Sequence, residues 1–260
     1  MKLTGTAVAV LAVAAVSLSG CKSADSTASP AASTSAAGTS AAAAPSPTPS
    51  ASTAADNGVA ALGADAILKR ATTALAAAKS FHAAGSDIED GQKVAVDLRI
   101  AGKDGVGELA IGKAKVEMLT VGGGMYIKPN EAFWAQNAGG AQKAKVVMAV
   151  VGDRWVKVAP SDKDIAGLFD LFKVDDILKP DGKVTKGAAK EVGGVPAITV
   201  IDHGDPGGSI YVATTGEPLP IELDGGDKST LKFSDFGATF ADIKKPAANQ
   251  VLDFAALAGK

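Results

Sequence analysis

The chain has 260 residues, with 26 lysines and arginines against 28 aspartates and glutamates and a formal net charge of −2. This near balance lacks the clustered basic footprint of a nucleic-acid-binding protein, so we expect no nucleic-acid partner. The 30 glycines favour a fold of many short strands and turns over a helical bundle.

The N-terminus combines the basic residue Lys2 with an uncharged apolar stretch from Ala7 to Leu18. About a dozen apolar residues are too few for a transmembrane helix, which needs about 20, but they suit the core of a secretory signal. The stretch ends in Leu-Ser-Gly-Cys, which resembles the lipobox of bacterial lipoproteins. The resemblance implies that residues 1–20 are a lipoprotein signal peptide, cleaved between Gly20 and Cys21.

Cys21 is the only cysteine of the sequence, so it cannot form an internal disulfide. The lipobox resemblance implies that its sulfur carries a diacylglyceryl group, with fatty acids such as palmitate. Two or more acyl chains hold a protein stably at a membrane. We therefore expect the protein to be anchored through Cys21 to the extracytoplasmic face of the cell membrane. The alternative is an ordinary signal peptide followed by a chance cysteine.

Residues 21–56 consist mainly of Ala, Ser, Thr and Pro, as the run APSPTPSAST at 44–53 illustrates. Such a composition buries too little apolar surface to offset the entropy of ordering. It predicts a lipidated, disordered tether of about 35 residues that spans on the order of 30–35 Å. We expect this tether either to let the folded domain move away from the membrane surface or to act only as a spacer.

Residues 57–260 are predicted to form a single domain that begins with a helix and continues in strands. Apolar residues at three- and four-residue spacing predict a helix over 63–82. A segment at 86–93 follows as an exposed loop, and alternation of apolar and polar residues predicts the first strand at 93–102. Further strands are predicted at 106–112, 115–122, 124–129 and 132–136, separated by glycine- and proline-containing turns.

The middle of the domain is less regular than its two ends. The first part of 140–158 is compatible with a short helix ending at Gly152, and 154–158 is typical of a strand. A second helical region is predicted over 161–179, with a capping-box-like start at Ser161. The last third returns to strands, predicted at 183–192, 197–204, 208–214, 220–226 and 229–237.

About ten strands in one antiparallel series, with two or three inserted helices, predict an α+β fold rather than a doubly wound α/β fold. The segments GDRWVKV, EVGGVPAITV, GSIYVATTGEPLPIEL and LKFSDFGATFADIKKPAANQVLD follow one another in an order that resembles actinobacterial lipoproteins of the LppX/LprA/LprF/LprG family. The resemblance covers about residues 63–253 and is most specific from Gly208 to Leu223. It implies a LolA/LolB-like fold, in which a curved antiparallel sheet forms a half-open β-barrel and helices cover its concave face.

The same resemblance implies a lipoprotein that binds and transfers lipids or lipoglycans in an apolar cavity between sheet and helices. A membrane transporter as partner and a monomeric state are further expectations. The candidate cavity-lining residues are apolar or aromatic and lie on the second helical region or on predicted strands: Ile165, Leu168, Phe169, Phe172, Leu98, Ile100, Met118 and Tyr126. The alternative is that they pack a filled core, and that the lipoprotein is a non-catalytic accessory or signalling protein acting through protein partners.

Residues that commonly carry catalysis or bind metals are few in this sequence. Its two histidines are His82 and His203, and Asp202 and His203 with Ser209 could be imagined as a nucleophile system. However, the sequence has no Gly-x-Ser-x-Gly elbow, and adjacent strand residues point to opposite faces. Two distant histidines do not suit zinc, and the carboxylates of 224–230 lack the spacing of a calcium loop. We therefore expect no enzymatic activity, no cofactor and no metal site.

Overall fold

The computed structural model describes residues 55–137, 139–205, 207–226 and 228–253. The expected signal peptide, the lipidation site at Gly20 and Cys21, and almost all of the expected tether lie outside these residues. The described part forms one sheet of twelve strands with helices against one face.

The strands are β1 Ser80–Glu89, β2 Gln92–Ala101, β3 Asp104–Ile111, β4 Ala114–Val121, β5 Gly124–Pro129, β6 Trp155–Val158, β7 Val184–Val192, β8 Val195–Asp202, β9 Gly208–Ala213, β10 Pro220–Gly226, β11 Ser229–Ser234 and β12 Val251–Asp253. The helices are α1 Ala64–Ala77, α2 Glu131–Asn137, α3 Ala141–Val151, α4 Lys163–Ala166 and α5 Val174–Ile177. Short 3-10 helices span Val59–Ala61, Gly167–Phe172 and Ala248–Gln250.

The sheet is curved and does not close, which confirms the expected α+β fold with a half-open barrel. Its strand order is β12-β6-β5-β4-β3-β2-β1-β11-β10-β9-β8-β7, so β12 and β7 are its edges. Every neighbouring pair is antiparallel except β12 and β6, which are parallel. The turns β1–β2, β3–β4, β8–β9 and β10–β11 lie at one end of the strands, which we call the lower end. The other turns lie at the upper end.

Alternation along the strands sends one set of apolar side chains to the helix-covered face, which we call the inner face. On β1 and β2 this set includes Phe81, Ala83, Leu98 and Ile100, all nearly inaccessible to solvent. The register places Phe81 opposite Ile100 and Ala83 opposite Leu98. The inner face therefore carries one continuous core along most of the sheet.

Helix α1 is shorter than the sequence predicts. Its buried stripe of Ile67, Leu68, Ala71 and Leu75 packs on the inner side of β7, β8 and β10. The helix ends at Ala77 because Lys79 takes a left-handed conformation, with φ of 65°, and reverses the chain into β1. The predicted boundary at residue 82 is therefore wrong, and His82 lies on a strand.

The expected loop at 86–93 is also largely strand. Strands β1 and β2 pair from Ser80 with Ala101 to Glu89 with Gln92, and only Asp90 and Gly91 form the turn. Both turn residues have positive φ, as a tight two-residue hairpin requires. Residues 86–93 are mostly polar because this end of the β1–β2 pair extends beyond the apolar core.

Residues 132–136 were predicted as a strand but lie in α2. The Asn130 side chain accepts a hydrogen bond from the Phe133 amide at 2.9 Å, which is the bond that a helix N-cap makes. Trp134, in the middle of the segment, is buried in the core. A short apolar run is compatible with both a helix and a strand. Here the capping residue Asn130 favours the helix.

The predicted helix at 161–179 consists of three short pieces: α4, the 3-10 helix Gly167–Phe172 and α5. Its N-cap is Asp162, whose carboxylate accepts from the Ile165 amide, rather than Ser161. The pieces follow the curved inner face and bring Phe169 and Phe172 into the core.

After β11 the chain crosses the sheet to reach its far edge at β12. Residues 235–250, which we call the strap, pass over the outer face at the upper end. The Ser80 hydroxyl donates to the Ala238 carbonyl at 2.6 Å, and Arg99 forms an ion pair with Asp242. The strap therefore links the middle of the sheet to the edge formed by β6 and β12.

Candidate functional site

Five of the eight predicted cavity-lining residues lie in one packed core: Leu98, Ile100, Met118, Phe169 and Phe172. Phe172 lies directly over Gly105 of β3, where a Cβ atom would stand 2.5 Å from its Cδ1. Phe169 packs beside it, with the ring centroids 6.2 Å apart. These five side chains pack in the same core as their neighbours on the sheet.

The other three predicted residues behave differently. Ile165 and Leu168 are half-buried and pack against the core from α4 and the following 3-10 helix. Tyr126 is buried but points to the outer face, because it alternates with Met125 and Ile127, which pack in the inner core. Tyr126 therefore does not share a face with the other candidates.

A groove of about 360 Å³ opens at the lower end, between the inner face of the sheet and α5. Sequence reasoning did not place any lining residue here. Its floor and wall are apolar and come from β2, β9, β10, β11 and the α5 region: Val94, Val96, Ile210, Leu223, Leu231, Ile177 and Leu178.

Gly85 of β1 leaves room for the groove. It stands between Val96 on β2 and Leu231 on β11 in the same register row, where a side chain would otherwise fill the floor. Its Cβ would lie 2.0 Å from the Thr230 carbonyl oxygen, so β1 and β11 approach too closely for any other residue. The floor is therefore open at Gly85 and closed at Phe172.

The rim of the groove is polar and exposed. Asp87 and Lys179 are exposed there. An apolar floor under a polar rim suits an amphiphile whose apolar part enters the groove while its polar part stays in water.

Asp202 holds the wall of the groove in place. One carboxylate oxygen accepts from the Asp181 amide at 2.8 Å, and the other accepts from the amides of Gly182 and Gly204 at 3.0 Å each. The segment that follows α5 is thus fixed to the end of β8. Hydrogen bonds to a charged acceptor are among the stronger ones in proteins.

The nucleophile system considered from the sequence is not assembled. Asp202 binds backbone amides, and the His203 ring contacts the Thr185 hydroxyl at 2.8 Å. Ser209 lies apart from this contact, in the lining of the groove.

A second group of Ser, His and Asp side chains lies on the outer face near the strap. His82 Nε2 is 3.0 Å from Asp97, and His82 Nδ1 is 3.3 Å from the Ser234 hydroxyl. However, that hydroxyl donates to Asp235 at 3.2 Å, whereas a serine nucleophile must pass its proton to its base. The group therefore ties β1, β2 and the end of β11 together.

A second depression, of about 450 Å³, opens at the upper end beside two of the predicted residues, Phe169 and Phe172. Lys173 and Asp176 lie on its border. A hydrogen bond from Lys173 to Asp170, together with the charge of that carboxylate, raises the pKa of the exposed Lys173 ammonium above its ordinary value.

Within the described ranges, none of the helices has the length and apolarity needed to cross a bilayer. The same residues contain no group of three or more His, Cys, Asp or Glu side chains arranged to hold a metal ion.

Neither a protein-family model nor a curated protein sequence matches the chain. Solved structures do match. LprF from Mycobacterium bovis is 14% identical, with 71% of this chain and 97% of that chain covered and a TM-score of 0.43. The Mycobacterium tuberculosis lipoprotein LppX is 12% identical, with 69% and 94% covered and a TM-score of 0.39.

A third structure, of an uncharacterized conserved protein from Thermus thermophilus, is 12% identical, with 73% and 98% covered and a TM-score of 0.39. LprF and LppX are both named in the lipoprotein family that the sequence resembles. At these identities the likeness concerns the fold alone, so the function proposed below rests on the sequence and the groove.

Proposed function

We propose that this chain is a non-enzymatic lipoprotein of the cell envelope that binds the acyl chains of a lipid or lipoglycan in the groove at the lower end of its sheet. In this proposal, residues 1–20 are the signal peptide, 21–56 the lipidated tether and 57–260 the binding domain. Acylated Cys21 holds the protein at the extracytoplasmic face of the membrane, and the bound lipid is passed on from there.

The observation that carries the proposal is the apolar floor of the groove beneath its polar rim. Each methylene group that leaves water for such a floor contributes about 0.8 kcal/mol. A volume of about 360 Å³ falls at the lower end of the range for small-molecule sites, about 300–1,000 Å³. The groove therefore suits part of one acyl chain, with the remainder accommodated if α5 moves outward.

The short helical pieces that form the wall support such a movement. Helix α5 has four residues and none of them is fully buried, whereas six residues of α1 are buried. Elements with few buried apolar contacts open locally at low cost in free energy. The hydrogen bonds of Asp202 hold the segment after α5, and the packing of Phe172 on Gly105 holds the residue pair before it, so the movement is confined to α5 itself.

A second candidate function is favoured by the packing of Phe172 on Gly105. Because the middle of the inner face is filled, the protein would act as an accessory or signalling lipoprotein through protein partners. The two candidates differ in what the groove holds: the first requires a lipid there, and the second does not.

Native mass spectrometry of the purified full chain, with organic extraction of the same sample, tests the proposal. We expect a bound lipid in addition to the acyl chains on Cys21. Val94→Trp should abolish this adduct, because the indole ring occupies the groove floor. Ile88→Trp is the matched control, since Ile88 is 47% exposed at the same end of the sheet but on the outer face, and this variant should keep the lipid.

A chain that folds normally and carries no lipid would contradict the proposal. So would a lipid adduct that is equally abundant in the Val94→Trp and Ile88→Trp variants, because the lipid would then be bound elsewhere.

A further inference from the structure

Helix α3 presents an apolar strip to solvent. Val146 is 67% exposed and Val150 is 48% exposed, and Ala149 is exposed between them. Among the described residues, the other large apolar side chains with comparable exposure are Ile88 and Ile111, on two separate strands. The strip on α3 therefore groups exposed apolar side chains on one helical face.

The strip lies opposite the side of α3 that packs on the protein. Ala144 and Val151 are buried, and Val147 and Met148 pack partly against the same core. With about 3.6 residues per turn, Lys143 and Lys145 fall on the two flanks of the exposed strip. Both lysines are exposed.

The helix carries positive charge only. Its sequence, AQKAKVVMAVV, has two lysines and no carboxylate, whereas the whole chain has a net charge of −2. Lysine side chains beside an apolar strip extend along it while their ammonium groups reach outward. This arrangement suits a helix that lies in a membrane interface, where apolar side chains enter the acyl region and lysines meet lipid phosphates.

We propose that the outer face of α3, formed by Val146, Ala149 and Val150 between Lys143 and Lys145, docks on an anionic lipid surface. Anionic lipid is favoured over a protein partner because the positive charge of the helix is complementary to anionic headgroups. The strip is also narrow and consists of small apolar side chains. Three small side chains bind weakly alone. An acylated tether raises the effective concentration at the membrane, so weak docking suffices, and this step rests on the proposed function.

Helix α3 is inserted in the chain at the same end of the sheet as the groove. The chain leaves β5 at Pro129 and enters β6 at Trp155, and the register places both of these points towards the lower end of the sheet. The groove opens at the same end.

A single labelled cysteine on α3 tests this inference. The full chain with Cys21→Ser and Ala149→Cys, labelled with an environment-sensitive fluorophore, is mixed with vesicles of equal parts phosphatidylglycerol and phosphatidylcholine. We expect a blue shift that pure phosphatidylcholine vesicles do not produce. The matched control carries Cys21→Ser and Ile88→Cys. Ile88 is exposed between Asp87 and Glu89, so its label should not respond.

Replacing the flanking lysines separates charge from apolar contact. Lys143→Gln and Lys145→Gln should each weaken binding to the phosphatidylglycerol vesicles by about fivefold. Added salt should weaken the parent chain and spare the double variant, because screening acts on the charges alone.

Three results would overturn the inference: no shift at residue 149, an equal shift with both vesicle types, or a shift that grows with protein concentration in the absence of vesicles. The last result would indicate contact between copies of the chain. A chain that docks but carries no lipid contradicts only the proposed function. A chain that carries lipid but does not dock contradicts only this inference.

Discussion

At the scale of single residues, two glycines on strands β1 and β3, which lie on either side of β2, divide the inner face. Gly105 accepts the ring of Phe172 above it, so the sheet is closed there. Gly85 has Val96 and Leu231 on either side, and the groove opens over it. Glycine therefore lies under both the filled part and the open part of the inner face. Whether the space above each glycine is filled depends on the side chains of the helical segment that covers it.

Gly105→Ala should lower the free energy of unfolding by about 1–3 kcal/mol, because the new methyl group forces Phe172 to move in a packed core. Urea denaturation of the full chain measures the change. Gly167→Ala is the control: a Cβ there has nothing within 4 Å, and the helical backbone should gain up to about 1 kcal/mol. Equal effects at the two positions would show that Phe172 is not held on Gly105.

At the scale of elements, the groove depends on how the segment after α5 is fixed to the sheet. Three backbone amides of two separate loops converge on the carboxylate of Asp202. Without it, the wall formed by α5 and Leu178 would have fewer attachments to the lower end of β8. The shape of the groove therefore depends on these loop contacts as well as on the strands beneath it.

Asp202→Ala should free this segment and destabilise it by about 1.5–3 kcal/mol, the usual contribution of hydrogen bonds to a charged group. We expect faster hydrogen exchange at the amides of Asp181, Gly182 and Gly204, together with loss of bound lipid. Asp205→Ala, an exposed residue of the next turn, should leave all three amides unchanged. Unaltered exchange in Asp202→Ala would contradict the assigned role.

The sequence predicted best the longer strands that follow one another through tight turns. Strands β2 to β5 and β7 to β11 have at least six residues each, and glycine- or proline-containing turns separate most of them, so their apolar runs could be recognised. Strand β12 has three residues and pairs in parallel, which leaves no pattern to detect. Segment 132–136 is too short for its period to separate helix from strand.

The groove could not be predicted from the sequence because its lining is assembled from distant places. Val94, Leu231 and Ile177 belong to three elements far apart in the chain. Asp87 lay in a segment expected to be a loop. Seven of the predicted residues pack in or against the inner core, and Tyr126 is buried on the outer face. Their role as cavity lining stays a prediction, because an apolar residue in a sequence fits a filled core and a cavity equally well.

At the scale of the whole molecule, we propose that a membrane anchor at Cys21, the tether expected after it and a sheet with an apolar groove act together. The anchor and the tether are predictions from the sequence and lie outside the described residues, whereas the groove is observed in the structure. In this proposal the lipid-binding domain stays within reach of the membrane.

Cys21→Ser should move the protein from the membrane fraction to the soluble fraction of the cell envelope, because the acyl chains provide stable attachment. Fractionation followed by immunoblotting measures this. Lipid binding by the domain should persist, because the residues that line the groove belong to the segment from Gly85 to Leu231. Retention of the variant in the membrane fraction at high salt would contradict anchoring through Cys21.

Acyl-chain contact in the groove is most directly tested by methyl NMR of the full chain carrying Cys21→Ser, with labelled Ile, Leu and Val, in the presence of a single-chain palmitoyl lipid. The account predicts intermolecular NOEs between the acyl methylenes and the methyl groups of Val96, Ile177, Leu223 and Leu231. NOEs confined to Val146 and Val150 on α3, or none to these four groove residues, would contradict it.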